Sequence, residues 1–156
     1  MGDKLKLSTK GRYGLRAMID LARFSENEPV SISSIAARQD ISERYLEQLF
    51  GLLKKAGLIK SIRGASGGYV LAESAEEISV GDILRALEGS LEPVKCSASL
   101  TEGGCSASGE CVTKYVWQKI NDSINETVNK MMLAELVNES KCLNQHGEYI
   151  HGECEN

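Results

Sequence analysis

Two helical segments joined by the tight link Asp40–Ile41 limit most strongly how this chain can fold. The first segment is short and ends near Gln39. The second, Glu43–Lys55, follows Ser42, a residue type favoured at helix N-caps. Apolar residues recur in the second segment at helical spacing, namely Tyr45, Leu46, Leu49, Leu52 and Leu53. Two helices joined this tightly are typical of a helix-turn-helix pair.

A glycine-rich hairpin follows the helix pair. Two short strand-like runs flank a six-residue turn, 63–68, whose three glycines allow dihedrals that other residues disfavour. An amphipathic helix over 10–23 precedes the pair, and a helix with a capping box starts at Ser79. This order predicts a mainly α fold with a small β-hairpin wing, a winged helix-turn-helix domain over residues 4–88.

A long C-terminal helix is predicted over residues 112–138. Its apolar residues repeat every three to four positions, at Val116, Ile120, Ile124, Val128, Met131 and Met132. At 1.5 Å per residue this helix is about 40 Å long, more than a domain of this size covers alone. The stripe therefore predicts a twofold homodimer, with packing onto its own domain as the alternative. Residues 139–156 have little periodicity and are predicted to form a flexible tail.

The charge is unevenly distributed, although the net charge is only −4. From Lys4 to Arg63 there are twelve Lys or Arg residues against six Asp or Glu, whereas the part from Leu91 onward has five against ten. A basic N-terminal half on an acidic protein predicts a polyanionic partner for that half alone, such as double-stranded DNA.

The composition argues against several function classes. No apolar run approaches the roughly 18 residues of a membrane span, and the start of the chain lacks the apolar stretch of a signal peptide. No Cys-x-x-Cys pair, nucleotide-binding loop or acid–base constellation indicates an enzyme. We therefore expect a cytoplasmic, non-enzymatic protein with no membrane partner, whose thiols stay reduced.

The second helix of such a pair places its N-terminal residues against base edges in the DNA major groove. Gln48 can pair with adenine, Glu47 can accept from a cytosine amino group, and Arg44 can reach guanine or phosphate. Arg63, which opens the wing, suits a narrow minor groove. The predicted DNA-binding residues are Ser42, Glu43, Arg44, Tyr45, Glu47, Gln48, Arg63, Ser66 and Gly67, with Lys10, Arg12, Lys54, Lys55 and Lys60 at phosphates.

Structural explanations stand beside these assignments. Tyr45 can belong to the core, and Glu47 can pair with Arg44 or Lys54 on the helix surface. Winged helices also serve as protein-interaction modules without DNA. The basic balance of the N-terminal half favours DNA.

Three cysteines, Cys96, Cys105 and Cys111, lie in a Gly- and Ser-rich stretch over residues 89–111. A structural zinc or an iron–sulfur cluster takes four protein ligands, and disulfides need an even number of cysteines. In a reducing compartment a group of thiols indicates metal binding or redox sensing. A cluster, a structural zinc and a redox-active disulfide are all compatible with the trio itself.

Several segments are similar to the family of IscR-like bacterial iron–sulfur cluster regulators, whose relatives include CymR and NsrR. Residues 6–14 resemble the opening of the family, 41–49 its recognition helix and 61–69 its wing. The cysteine trio with Val112–Trp117 and Leu133–Asn138 resembles the IscR branch, because CymR-like members lack the trio. The resemblance covers all but the last part of the chain.

The resemblance implies a homodimeric transcription factor that binds operator DNA and holds one [2Fe–2S] cluster per subunit, supplied by cluster-assembly machinery. Cluster occupancy would change which operators it binds. The residues that match the family's three thiolate ligands are Cys96, Cys105 and Cys111. Glu47 matches a glutamate that discriminates between two operator classes, and Gln48 and Arg63 match DNA-contacting positions.

The chain departs from the family at the cluster ligands. Eight residues separate the first two cysteines of the trio, a longer gap than in the family. Lys114 stands where the family has a histidine as its fourth ligand, and a protonated lysine has no lone pair to donate. Candidates for the fourth ligand are Glu110, Cys142 or His146 of the partner subunit, and an exogenous ligand. Arg44 replaces a small polar residue, so a different base preference is expected. The alternative function is a thiol-based repressor of the same fold without metal.

Overall fold

The computed structural model describes residues 7–93 and 111–143, and within them it contains six α-helices and one two-stranded sheet. In chain order the elements are α1 Thr9–Phe24, α2 Ile32–Gln39, α3 Glu43–Lys55, β1 Ile59–Ile62, β2 Gly68–Leu71, α4 Val80–Glu88, α5 Thr113–Lys130 and α6 Leu133–Cys142. The predicted class, mainly α with a hairpin wing, is confirmed. None of the described helices is long and apolar enough to cross a membrane.

The helix-turn-helix pair forms where its caps and turn residues predict it. The hydroxyls of Ser31 and Ser42 cap α2 and α3, and each accepts a backbone N–H from three residues onward, at 3.2 and 3.3 Å. Asp40 ends α2 in the left-handed conformation, with φ of 53°, which Asp tolerates better than most residues. Arg16 of α1 donates to the carbonyl oxygen of Gln39 at 2.6 Å, which holds this turn against α1.

The inner face of α3 is buried against α1. Exposure is at most 1% at Leu46, Leu49, Phe50 and Leu53. They share one core cluster with Met18 and Leu21 of α1, both 0% exposed. Burial of one such side chain contributes about 1.5–3 kcal/mol. The cluster therefore fixes the rotation of α3 and leaves its opposite face to solvent.

The wing is attached to the helices at two points. Its register pairs Ile59 with Leu71, Lys60 with Val70, Ser61 with Tyr69 and Ile62 with Gly68. Val30, which precedes α2, adds an antiparallel bridge to Tyr69 with N···O distances of 2.9 and 2.8 Å. The Tyr69 ring also meets Phe50 of α3 edge-on, with centroids 5.0 Å apart. These contacts hold the hairpin beside α3.

A buried carboxylate that the sequence pattern did not indicate joins α1 to α2. Asp20 is only 3% exposed and accepts from Arg38 Nη2 at 2.6 Å, from Arg38 Nε, and from Gln39 Nε2 at 2.9 Å. The hydrogen bond to Asp20 raises the pKa of Arg38. The Arg38 guanidinium also lies 4.2 Å from the centre of the Phe24 ring. Both contacts orient α2.

The single C-terminal helix predicted from the apolar repeat is two helices in the structure. Met131 and Met132, between α5 and α6, are extended, with ψ of 115° and 148°. The Val80 N–H donates to the Met131 carbonyl oxygen at 2.8 Å, and the Leu133 N–H donates to the Ile78 carbonyl oxygen at 2.8 Å. These two hydrogen bonds give the Met131 carbonyl and the Leu133 N–H partners outside the helices.

The two C-terminal helices differ in burial. Leu133 and Val137 of α6 are 0% and 6% exposed and belong to the core cluster that includes α1. No residue of α5 is buried. α6 continues to Cys142, past the predicted helix end at 138 and into the predicted tail. Residues 144–156 lie outside the described part of the chain.

Candidate nucleic-acid interface and cysteine segment

The outer face of α3 carries the polar residues predicted to meet bases. Because the apolar residues of α3 point into the core, the residues left exposed at its N-terminal end are Ser42, Glu43, Arg44, Glu47 and Gln48. Arg44, Glu47 and Gln48 are spaced three and four residues apart, so their side chains share one helix face. The geometry presents donors and acceptors of the kinds that distinguish base pairs in a major groove.

The Glu47 carboxylate is open to solvent. The ion pairs found in the described part of the chain do not include Glu47 with either Arg44 or Lys54. Lys54 instead donates from Nζ to the Ser61 hydroxyl on β1 at 2.7 Å. Surface pairing therefore does not account for Glu47, and Lys54 links α3 to the wing.

Tyr45 packs against α1, which is the structural alternative to a base contact. It is half-buried, and its hydroxyl lies 3.1 Å from Thr9 Oγ1 on α1. Its ring meets Tyr13 edge-on with centroids 6.1 Å apart, and Arg16 lies 5.6 Å from the centre of the Tyr13 ring. Tyr45 thus positions the start of α3 against the first half of α1.

The wing residues predicted to contact DNA lie at and beside the hairpin turn. Arg63 and Ser66 are exposed, and Gly67 is half-buried. The Gly67 N–H donates to the Gly64 carbonyl oxygen at 3.0 Å, and Gly64 has φ of 119°, in the left-handed region that favours glycine. Arg63 is therefore exposed at the point where β1 leads into the turn.

The basic residues predicted at phosphates lie on both sides of α3. Lys10 and Arg12 are exposed on the first turn of α1, which the contact between Thr9 and Tyr45 brings to the start of α3. Lys55 is exposed at the other end of α3, and Lys60 on β1 is exposed with its Nζ 3.3 Å from the Ala72 carbonyl oxygen. Exposed ammonium groups on either side of a recognition helix suit phosphate backbones.

One site residue was missed by the sequence analysis. Glu88, the last residue of α4, accepts through Oε1 from the backbone N–H and the hydroxyl of Ser8, at 2.9 and 2.6 Å, and from the Gly11 N–H at 2.9 Å. Ser8 is recognisable in the sequence as an N-cap type ahead of α1. Its acceptor lies 80 residues further along the chain, and no local pattern predicts that contact.

Cys111 is the only member of the cysteine trio within the described residues; Cys96 and Cys105 lie outside them, as do Glu110 and His146. The Cys111 sulfur lies 3.0 Å from the Thr113 hydroxyl at the start of α5. That hydroxyl, followed by the first backbone N–H groups of α5, lowers the pKa of the Cys111 thiol. A thiolate is the form that binds metal, so the residue suits a ligand.

The fourth ligand is not identified by the described residues. No group of three or more His, Cys, Asp or Glu side chains that could hold a metal ion occurs within 7–93 and 111–143. Lys114 is half-buried in the first turn of α5, and its N–H donates to the Cys111 carbonyl oxygen at 3.2 Å. Cys142, at the end of α6, is disulfide-bonded.

A helix-turn-helix core, an outward polar helix face and an adjoining wing define a winged-helix transcriptional regulator of the DNA-binding kind. The chain belongs to the Rrf2 family, whose model, described as an iron-dependent transcriptional regulator, matches residues 7–139.

Curated relatives support the same placement. Proteins named HTH-type transcriptional regulator IscR, from Cronobacter sakazakii and Escherichia coli O1:K1, are each 40% identical to this chain over 148 and 143 residues. Each match covers 92% of this chain, together with 90% and 86% of the respective relative. These relatives are transcriptional regulators, and the expectation that the chain is not an enzyme is confirmed.

Solved structures include members of both branches named in the sequence comparison. The structure of T. potens IscR is 44% identical with a TM-score of 0.71, covering 94% of this chain and 93% of that chain. The global cysteine regulator CymR of B. subtilis is 45% identical with a TM-score of 0.68, covering 85% of this chain and 95% of that chain. The resemblance to IscR-like regulators is therefore confirmed.

Proposed function

We propose that this regulator is a homodimer that responds to iron–sulfur cluster status through a [2Fe–2S] cluster held by Cys96, Cys105 and Cys111. The observation that carries the proposal is the position of Cys111. Its thiol, with a lowered pKa, lies two residues before the start of α5, and the other two cysteines precede it in the same segment. Thiolates are the usual protein ligands of such clusters.

The donor chemistry fits three of the four ligand positions that a cluster requires. Lys114 does not fit the fourth, because a protonated amine has no lone pair. The proposal leaves the fourth ligand to Glu110, to Cys142 or His146 of the partner subunit, or to an exogenous group. When bound, the cluster would supply redox-sensitive iron held by the thiolates of Cys96, Cys105 and Cys111, and cluster-assembly machinery would be its source.

The outer face of α3 and the wing support operator binding by the predicted residues. In this proposal Glu47 and Gln48 face bases, and Arg63 enters the minor groove. The phosphate backbone of the DNA is positioned by Ser66, Gly67 and the surrounding lysines. Glu47 is exposed, and the ion pairs among residues 7–93 and 111–143 do not include it. This supports a role in discriminating operators, because a carboxylate that keeps its charge accepts from a cytosine amino group and repels phosphate.

The exposed apolar residues of α5 support the homodimer. Val112, Tyr115, Val116 and Ile120 are 78%, 73%, 53% and 37% exposed, although the helix packs against α4 on its other side. A run of exposed large apolar side chains on one helix is typical of a protein–protein interface. A second copy of the chain, related by a twofold axis, would cover it.

A thiol-based regulator without metal is the second candidate. Two observations favour it: CymR structures are among the similar ones, one of them described as an oxidized form from Staphylococcus aureus, and Cys142 is disulfide-bonded. In this case oxidation of cysteines would replace cluster occupancy as the signal.

Anaerobic reconstitution of the full chain with iron and sulfide separates the two candidates. We expect the wild type to gain visible absorbance and about two iron and two sulfide per subunit. Cys111→Ala should lose both while keeping the helical content of the wild type. Cys154→Ala is the matched control, a cysteine substitution outside the trio and outside the candidates for the fourth ligand.

Two outcomes identify the alternatives. A wild type that stays colourless and iron-free, and whose trio forms a disulfide on oxidation, would establish the thiol-based candidate. A Cys142→Ala variant that loses the cluster as Cys111→Ala does would assign the fourth ligand to Cys142.

A further inference from the structure

The Glu88 carboxylate caps the N-terminus of α1. Oε1 accepts from Ser8 N–H, Ser8 Oγ–H and Gly11 N–H, at 2.9, 2.6 and 2.9 Å. The first backbone N–H groups of a helix have no partner within the helix, so a carboxylate there satisfies them and complements the helix dipole. An acid at the end of α4 thus fixes the first turn of α1.

Gly11 makes room for this carboxylate. A Cβ at Gly11 would lie 2.6 Å from Glu88 Oε1 and 3.3 Å from Leu84 Cδ2, both on α4. Only a residue without a side chain allows α1 and Glu88 to approach this closely. The contact is therefore built into the packing of α1 on α4.

The first turn of α1 touches the start of the recognition helix. Thr9 stands between Ser8 and the phosphate candidate Lys10, and its Oγ1 lies 3.1 Å from the Tyr45 hydroxyl. One turn later, the Tyr13 ring meets Tyr45 edge-on at 6.1 Å. The first turn of α1 is therefore in direct contact with the N-terminal turn of α3.

The cysteine segment leaves α4 at the residue that caps α1. Gly89, where the segment begins, directly follows Glu88. α5, which begins two residues after Cys111, is joined to α4 through its second half by Arg85, whose Nη2 donates to the Asn125 and Asn129 side chains at 2.9 and 2.6 Å. The helix from which the segment starts is therefore the one that caps α1.

We propose that Glu88 is the positioning residue that couples the cysteine segment to the DNA-binding face, through Ser8, Gly11 and the contact of Thr9 with Tyr45. The coupling rests on the proposed function, which supplies the signal that would move the cysteine segment. The contacts that link Glu88 to Tyr45 involve only described residues. When the segment displaces the end of α4, the cap on α1 loosens or tightens, and the start of α3 follows.

Hydrogen–deuterium exchange of the full-length apo chain tests the link without any cluster. Glu88→Ala should speed exchange at the first turn of α1 and, with it, at the first turn of α3, each by about tenfold. Glu88→Gln keeps an oxygen acceptor at the same place and should restore most of the protection. Glu77→Ala is the matched control, since Glu77 also caps a backbone N–H, that of Ser74 at 3.3 Å, away from α1.

The result that overturns the link is faster exchange confined to α1, with α3 unchanged, or no change in either. If Glu88→Ala does not fold, Tyr45→Phe breaks the same path at its other end. That variant should speed exchange at the first turn of α3 while the core amides of α1 keep their wild-type rates. Unchanged α3 rates in Tyr45→Phe would also overturn the link.

Operator binding by apo and reconstituted protein tests the coupling to the signal. Each variant's operator affinity is measured in the apo and in the reconstituted form. Glu88→Ala should reduce the ratio between these two affinities at least about threefold, whereas Glu77→Ala should leave the ratio within about twofold of the wild-type value. A wild type whose affinities do not depend on reconstitution would refute the proposed function. A wild-type ratio that Glu88→Ala retains would refute the role of Glu88 alone.

Discussion

At the scale of single residues, Glu47 combines exposure with a charge that DNA disfavours. It lies one turn into α3, and no ion pair within the described residues neutralises it. A carboxylate in a major groove accepts from a cytosine amino group and is costly next to other base edges and phosphates. We therefore expect Glu47 to act more against wrong operators than in favour of right ones.

Glu47→Ala should therefore relax discrimination between operators by about tenfold while changing the affinity for the best operator by less. Fluorescence anisotropy with a set of labelled operators, at one fixed salt concentration, measures both quantities. Glu139→Ala, which removes an exposed acid of α6 outside the predicted DNA-binding residues, is the control. Equal losses on all operators would show that Glu47 only supports the structure of α3.

Asp20 is the buried charge whose removal should affect stability most. Asp20→Ala leaves Arg38 and Gln39 without their acceptor, and we expect a loss of about 2 kcal/mol in the free energy of unfolding, reduced from a fully buried pair because Arg38 is partly exposed. Urea unfolding followed by circular dichroism measures it. Glu26→Ala, which breaks the exposed pair with Lys141, should cost at most about 0.5 kcal/mol.

The residues predicted correctly are those whose role depends on their neighbours in sequence. Ser42 and Ser79 cap helices by bonding three residues onward, and a local pattern contains that information. Asp20 and Glu88 bond to residues 18 and 80 positions away, and on helical periodicity alone both resemble solvent-facing acids. Long-range acceptors of this kind need the tertiary structure.

At the scale of elements, the break between α5 and α6 shows why an apolar repeat overpredicts helix length. The repeat runs through Met131 and Met132 without Gly or Pro, so no local breaker marks the junction. The bridge from Ser79 to Met132 supplies extended partners instead. The bend allows Leu133 and Val137 to enter the core while α5 points its apolar residues outward.

The outward residues of α5 give an element-scale prediction. Ile120→Glu places a charge in the proposed dimer interface and should convert a dimer to a monomer in sedimentation-velocity experiments. Lys119→Glu, the adjacent exposed residue, introduces the same carboxylate beside the apolar stripe and should leave the dimer intact. A wild type that is monomeric at all concentrations tested would contradict the interface.

At the scale of the whole molecule, the basic charge lies in the half that contains α1, α3 and the wing. An acidic protein of net charge −4 can bind a polyanion only through such a local surface. Each phosphate that a lysine neutralises contributes to the salt dependence of binding, because counterions are released. The slope of log affinity against log salt concentration therefore measures how many phosphate contacts this surface makes.

Lys10→Ala should reduce that slope, log affinity against log salt concentration, by about one and weaken binding to all operators to a similar degree. Titrations from about 50 to 200 mM salt measure it. Lys119→Ala, a lysine of the acidic half, should leave the slope unchanged. If the slope falls equally in both variants, the effect comes from the change in net charge and not from a contact between Lys10 and DNA.

The bridge at Met131 and Met132 also bears on which DNA sites a dimer of this chain can bind. It joins the end of α5 to the strand-like residues before α4, so α5 leaves the winged domain in one fixed direction. In a twofold dimer formed through α5, that direction determines the distance between the two copies of α3. Paired recognition helices read half-sites about one helical turn apart, or a multiple of it. Two backbone hydrogen bonds far from the DNA would thereby set the spacing of the palindrome that this regulator can occupy.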